Sequence, residues 1–159
     1  MFKTIAWATD GSPTAALALP YALGLAAPDE AKLVVVHARE IMVGRGGGYP
    51  VLADESELRD RIHQQVEELQ SDGIDATYFV RTCTGGHAAR TIAEVAAEVG
   101  ADLIVVGTHG YGRVANLFLG STTQGLIHAG ACPVLAVPTG SAVPGPEGEL
   151  VPIATIATT

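Results

Sequence analysis

Short β-branched and aliphatic runs alternate along this chain with longer stretches of helical spacing, and that alternation confines it to a parallel sheet covered by helices. Residues 2–9 read as a first strand that ends at Asp10-Gly11. Ser12 then supplies an N-cap and Pro13 the first helical position. The helix is expected to run to about residue 27, with Ala16, Leu19, Leu23 and Ala26 on one face. Pro20 lacks the N–H that would bond the Ala16 carbonyl, which predicts a kink. Residues 32–38 contain Leu33-Val34-Val35-Val36, the continuous apolar run of a strand buried on both faces. Residues 39–53, with Gly44, Gly46, Gly47, Gly48 and Pro50, read as a long flexible loop. Asp54-x-x-Glu57 has the form of a capping box and opens a second helix carrying Leu58, Ile62, Val66 and Leu69, with Gly73 as its stop. A third strand at residues 75–82 has the mixed polarity of a sheet edge. A third helix at 88–99 turns Ile92, Val95, Ala96 and Val99 inward. A fourth strand (103–106), a fourth helix (121–129) and a fifth strand (133–137) follow. Five such units in series imply right-handed crossovers and helices on both faces of the sheet.

At 159 residues the chain has the length of one domain. Hydrophobic residues make up 48% and charged residues 16%, which excludes disorder for most of it. The net charge of −8 argues against a nucleic-acid partner, which needs a basic footprint. It does not argue against ATP, because backbone N–H groups hold phosphates as well as lysines do. The apolar start is broken by Asp10, too soon for a signal peptide or a membrane span. Cys83 and Cys132 form no C-x-x-C pattern, so neither a disulfide framework nor a zinc site is expected, and the cytoplasm is the default compartment. Residues 1–138 are read as the domain. Residues 139–159 are read as a Ser/Gly/Pro-rich linker and an apolar tail, 150–156, that packs on a neighbouring surface.

In an open α/β sheet, ligands bind beyond the carboxyl ends of the strands, where the strand order reverses. After the first strand stand Asp10, Gly11 and Ser12. After the fourth stands Gly107-Thr108-His109-Gly110-Tyr111-Gly112-Arg113, and further on Gly120-Ser121-Thr122-Thr123 at the start of the next helix. The glycines allow close backbone approach and positive φ. Free N–H groups, the positive end of the helix dipole and three hydroxyls complete a phosphate cradle. There is no G-x-x-x-x-G-K-[ST], hence no P-loop lysine. The glycine spacing is not G-x-G-x-x-G and follows the fourth strand rather than the first, which argues against a dinucleotide-binding domain. His37 reads as packed at a strand end, His87 and His128 lack metal-ligand spacing, Cys132 reads as inert, and Asp102 as bonded to local backbone.

The spacing Gly107-x2-Gly110-x9-Gly120-Ser121 resembles the ATP-binding signature of the universal stress proteins. Asp10-Gly11-Ser12, His37 at the end of the second strand, residues 101–107 and Cys132-Pro133-Val134-Leu135 fit the same pattern, so the resemblance covers residues 2–138. It implies a flavodoxin-like, Rossmann-like three-layer sandwich with a five-stranded parallel sheet in the order 3-2-1-4-5. It implies that Ala8, Thr9 and Asp10 line the adenosine end, with Ala38 and Val106 against the adenine. Gly107, His109 and Gly110 would approach the ribose and phosphates, and Gly120, Ser121, Thr122 and Thr123 would hold the phosphate chain, with Mg²⁺ accompanying it. No residue is assigned to catalysis and none to a protein metal site. The function implied is that of an ATP-binding stress-response regulator with slow or no hydrolysis. The alternatives are a slow ATPase and a nucleotide-independent protein-interaction module. An apolar fifth strand left open at the sheet edge, together with the resemblance, leads us to expect a homodimer there and no membrane partner.

Overall fold

Thr4–Ala8 forms β1 at the centre of the sheet, with Ile5, Ala6, Trp7 and Ala8 no more than 2% exposed. The structure, a computed structural model, describes residues 1–44, 47–51, 54–109, 119–141, 143–144 and 150–151. β1 pairs in parallel with β2 (Lys32–Gly44) on one side and β5 (Leu103–Gly107) on the other. β4 (Ala76–Thr84) pairs with β2, and β6 (Val134–Val137) with β5, again in parallel. The parallel strands therefore run β4-β2-β1-β5-β6, which is the 3-2-1-4-5 order of the sequence reading once strands are numbered without β3.

Alternate side chains feed two cores, as the period of a strand requires. Ile5, Trp7, Leu33, Val35, Leu103 and Val105 pack under α2 (Leu19–Ala26) and α3 (Glu55–Ser71). Ala6, Ala8, Val34, Val36, Ile104 and Val106 pack under α4 (Ala88–Glu98) and α5 (Ser121–Ala129). Buried Trp7 satisfies its indole N–H on the Ala15 carbonyl at 3.2 Å, in the short helix α1 (Pro13–Ala16).

The sheet has six strands, not five: β3 (Gly47–Pro50) pairs antiparallel with the outer part of β2, from Ile41↔Pro50 to Gly44↔Gly47. The expected loop at 39–53 is thus largely a hairpin, because Ile41, Met42 and Val43 continue the strand pattern; residues 45–46 and 52–53 lie outside the described residues. Carbonyl direction locates β3. Val36 O accepts from Thr9 N and Glu40 O from Val51 N, whereas Ile41 O accepts from Gly85 N after β4. Residues an even number apart point their carbonyls to the same edge, so β3 continues along the edge of β2 that β1 occupies.

The first helix does not kink at Pro20 but breaks before it, into α1 and α2, with Pro20 in the opening turn of α2 where its missing N–H costs nothing. Its buried stripe is Ala15, Ala18, Ala22 and Ala26, with Leu19 and Leu23 only partly covered, because small residues let the backbone sit close on the sheet. Ser12 caps α1 as expected, accepting from Ala15 N at 3.1 Å. Asp54 stands at the N-cap of α3 but caps nothing with its side chain; it pairs with Arg61 at 3.6 Å instead. Asp102 does not bond local backbone: its Oδ2 accepts from Lys3 N at 2.6 Å and Thr4 N at 3.0 Å, tying the entry of β5 to that of β1. Within the expected linker, β7 (Val143–Pro144) pairs with β8 (Leu150–Val151) and lies against α2; most of the apolar tail lies outside the described residues.

Candidate functional site

β1 and β5 are neighbours in the sheet, yet α1 leaves one and α5 follows the other, so their carboxyl ends diverge over a crevice. A cavity of about 330 Å³ occupies it. Ala8, Thr9 and Asp10 from the end of β1, and Val106 and Gly107 from the end of β5, form its floor. Ala38 of β2 stands on one side; His109, Gly120, Ser121, Thr122 and Thr123 stand on the other. Gly110, with Tyr111, Gly112 and Arg113, lies outside the described residues.

The floor is rigid because its polar groups are tied to one another. Gly11 N donates to Thr9 Oγ1 at 3.1 Å, and Ser12 N to Asp10 Oδ1 at 2.9 Å, a side-chain-built turn. Thr14 Oγ1 donates to the His109 carbonyl at 2.8 Å, joining the two loops across the crevice. Thr123, 2% exposed, donates its hydroxyl to the Gly107 carbonyl at 2.9 Å, so its proton is already committed to holding α5 on β5. Gly120 is the N-cap of α5 and brings no side-chain acceptor, which leaves the first-turn N–H groups for an anion. Ser121 is exposed and Thr122 half-buried at that mouth.

Gly107 and Gly120 have ordinary negative φ; crowding explains them instead. A Cβ on Gly107 would stand 2.8 Å from the Thr14 carbonyl oxygen, and one on Gly120 3.2 Å from that of Thr108. Gly120 N also donates to Thr108 O at 2.7 Å.

The sequence reading missed six lining residues: Ala15, His37, Glu40, Val51, Ala88 and Ile92. Glu40 was legible in principle, since it lies two residues past Ala38 and therefore on the same face of β2. Ile92 was an inward residue of its helix, but its position under the crevice depends on how α4 crosses the sheet. His37 is more than packed. It is 1% exposed, with Nδ1 2.9 Å from the Thr9 carbonyl and Nε2 3.0 Å from Oε1 of Glu55. Glu40 holds Gly86 N at 2.7 Å. Among the described residues the lining carries the carboxylates of Asp10 and Glu40 and no lysine or arginine. Favourable charge for an anion comes there from the start of α5. Among the described residues no group of three His, Cys, Asp or Glu is placed to hold a metal ion. Burial raises the pKa of the Cys83 and Cys132 thiols above the ordinary value, which disfavours their thiolates.

Residues 1–138 match the model of the universal stress protein family. A universal stress protein of Thermus aquaticus is 39% identical over 140 residues, covering 86% of this chain and 99% of its own. Among solved structures, the universal stress protein UspA of Lactobacillus plantarum superposes with a TM-score of 0.66 at 20% identity, covering 85% of this chain and 97% of that one. A universal stress protein in complex with cAMP superposes with a TM-score of 0.60 at 27% identity, covering 87% and 98%.

Proposed function

The chain belongs to the universal stress protein family, and from that premise we propose that it is a stress-response regulator whose crevice takes an adenine nucleotide, ATP in the first place. The observation that carries this reading is the convergence of every described residue of the expected set, from the ends of β1 and β5, the middle of β2 and the start of α5, on a single cavity. Its volume, about 330 Å³, falls at the lower end of the roughly 300–1,000 Å³ typical of small-molecule sites. The apolar part, Ala8, Ala38, Val106 and Ile92, suits a purine ring. The start of α5 suits phosphates. That a related protein was solved with cAMP supports the adenosine half of the assignment. Mg²⁺ would enter with the phosphates, since the described residues offer no carboxylate cage of their own.

Binding without rapid turnover fits this lining. Phosphoryl transfer rests on cationic groups around the γ-phosphate, and no lysine or arginine lines the described part of the cavity. The same reading places the protein in the cytoplasm.

Isothermal titration of protein freed of ligand by unfolding and refolding tests the assignment against ATP, ADP, AMP and cAMP. Binding of ATP is expected. Ser121→Ala should weaken it by about 1 kcal/mol, one hydroxyl hydrogen bond, while the backbone donors remain. Absence of heat with all four ligands sinks the nucleotide reading, and the protein-interaction module takes its place.

A further inference from the structure

Beneath the cavity floor, groups from three elements meet out of contact with water. The side chains of His37 and Glu55 are 2% and 6% exposed. His37 Nδ1 lies 2.9 Å from the Thr9 carbonyl oxygen and Nε2 3.0 Å from Glu55 Oε1. A carbonyl oxygen only accepts, so Nδ1 carries a proton. The second contact then requires another, brought either by an imidazolium or by a protonated carboxyl. The chain of contacts closes only when the pair holds one proton more than a neutral imidazole facing a carboxylate.

What the pair grips is the turn that forms the floor. Thr9 takes Gly11 N on its hydroxyl, gives its own N–H to Val36 and offers its carbonyl to His37. Glu55 is the first residue of α3, which follows shortly after Val51 at the cavity wall. Among the described residues, the other charged or titratable groups near the pair are Arg39, whose Nε stands 4.0 Å from the same Glu55 oxygen, and Asp10, Glu40 and His109 around the cavity that His37 also lines.

We propose that His37 and Glu55 are a proton-loaded positioning pair that holds the Thr9–Asp10 turn in its ligand-binding shape and thereby ties nucleotide affinity to pH. This rests on the nucleotide reading above. Both residues act through the Thr9 carbonyl. Loss of the shared proton leaves Nδ1–H on Thr9 but sets a bare Nε2 lone pair against a carboxylate, and that repulsion turns the ring away from Glu55 and loosens its hold on Thr9. The bound form therefore retains a proton that the free form gives up, and affinity falls as pH rises. A glutamine at position 55 changes the chemistry without changing the shape. Its amide donates to a neutral Nε2 while Nδ1–H still donates to Thr9, so no extra proton is needed.

ATP titrations of the full chain from about pH 6 to about pH 9, across the histidine range, test this. Wild-type affinity should fall about tenfold, within the usual range of coupling between sites. Glu55→Gln should lose that fall, while Glu55→Ala should bind weakly at every pH. In the ligand-free wild type at the acid end, ¹⁵N shifts of His37 should show Nδ1 protonated and Nε2 hydrogen-bonded, either as donor to the Glu55 carboxylate or as acceptor from its protonated carboxyl, and in Glu55→Gln only Nδ1 protonated. A Glu55→Gln profile that follows wild type, or a His37 protonated on Nε2 alone, overturns the proposal. So does a folded Glu55→Ala that binds like wild type. The glutamine variant keeps both hydrogen bonds, so its comparison stands even where the alanine variant fails to fold. Wild-type protein that binds no ATP at any pH defeats the nucleotide reading itself, a result distinct from variants that bind ATP indifferently.

Discussion

Gly11 shows how a single position joins the site to the core. Its φ is +76°, and a Cβ there would stand 2.1 Å from Leu58 Cδ1 of α3. A left-handed backbone costs an L-residue roughly 1–2 kcal/mol and overpacking roughly 1–3 more. Gly11→Ala should therefore lower stability by about 2–5 kcal/mol, read as a shift of the urea midpoint at unchanged m. Gly107 and Gly120 obey a different rule. The sequence reading singled them out as glycines for a phosphate, and they do line the cavity, but a side chain there would also meet backbone of the same chain, forbiddingly at Thr14 for Gly107 and tightly at Thr108 for Gly120. A glycine pattern does not distinguish approach of a ligand from approach of backbone; only the placement of α1 does. Gly120→Val is accordingly a poor probe of binding, since it would disturb the Gly120–Thr108 turn itself.

Among the elements, α4 and α5 meet at Gly125, where a Cβ would come within 2.5 Å of the Cβ of Ala89. Gly→Ala inside a helix ordinarily gains about 1 kcal/mol. Here neither methyl can rotate away, and forcing the helices apart costs roughly 1–3 kcal/mol. Gly125→Ala should come out destabilising by about 1 kcal/mol in denaturant unfolding, and the penalty should vanish in an Ala89→Gly background. The strands carry a pH-dependent tie. Hydrogen bonds from Lys3 N and Thr4 N hold the Asp102 carboxyl below its ordinary value. A depressed carboxyl stabilises the fold above its unfolded value, about 4, and loses that contribution as pH falls through the folded one. Asp102→Ala should thus lower Tm at neutral pH by an amount that shrinks on acidification; a pH-independent difference would contradict the account.

Elements buried on both faces were legible because their sequence admits one placement: Leu33-Val34-Val35-Val36 and Leu103-Ile104-Val105-Val106 are such runs. The β2–β3 hairpin was not, because Gly44, Gly47 and Gly48 signal a loop as strongly as a turn and the strand they bound is exposed. Nor was Glu55, whose burial against His37 depends on α3 starting over the end of β1. A charged residue in the first turn of a helix otherwise reads as a partner for the dipole.

At the scale of the whole molecule, both outer parallel strands have an open edge among the described residues, but they differ. β4 exposes Tyr78 and Phe79, while β6 keeps Val134 and Leu135 half-buried beside an unpaired backbone. Two copies joined through β6 about a two-fold axis would satisfy that edge. Val134→Arg should then convert dimers to monomers in light scattering, and a wild type already monomeric at micromolar concentration would rule the arrangement out. The other side of the molecule has a freedom the centre lacks. β2 runs on from His37 to Gly44 after β1 has ended; β4 accompanies it as far as Ile41, and its last residues pair with β3 in a hairpin beside the cavity whose outer residues, Met42, Val43 and Tyr49, support no core. Such a hairpin can be shortened, lengthened or recomposed with little effect on folding. Selection, natural or in the laboratory, thus has a region where ligand preference can drift while the scaffold stays fixed.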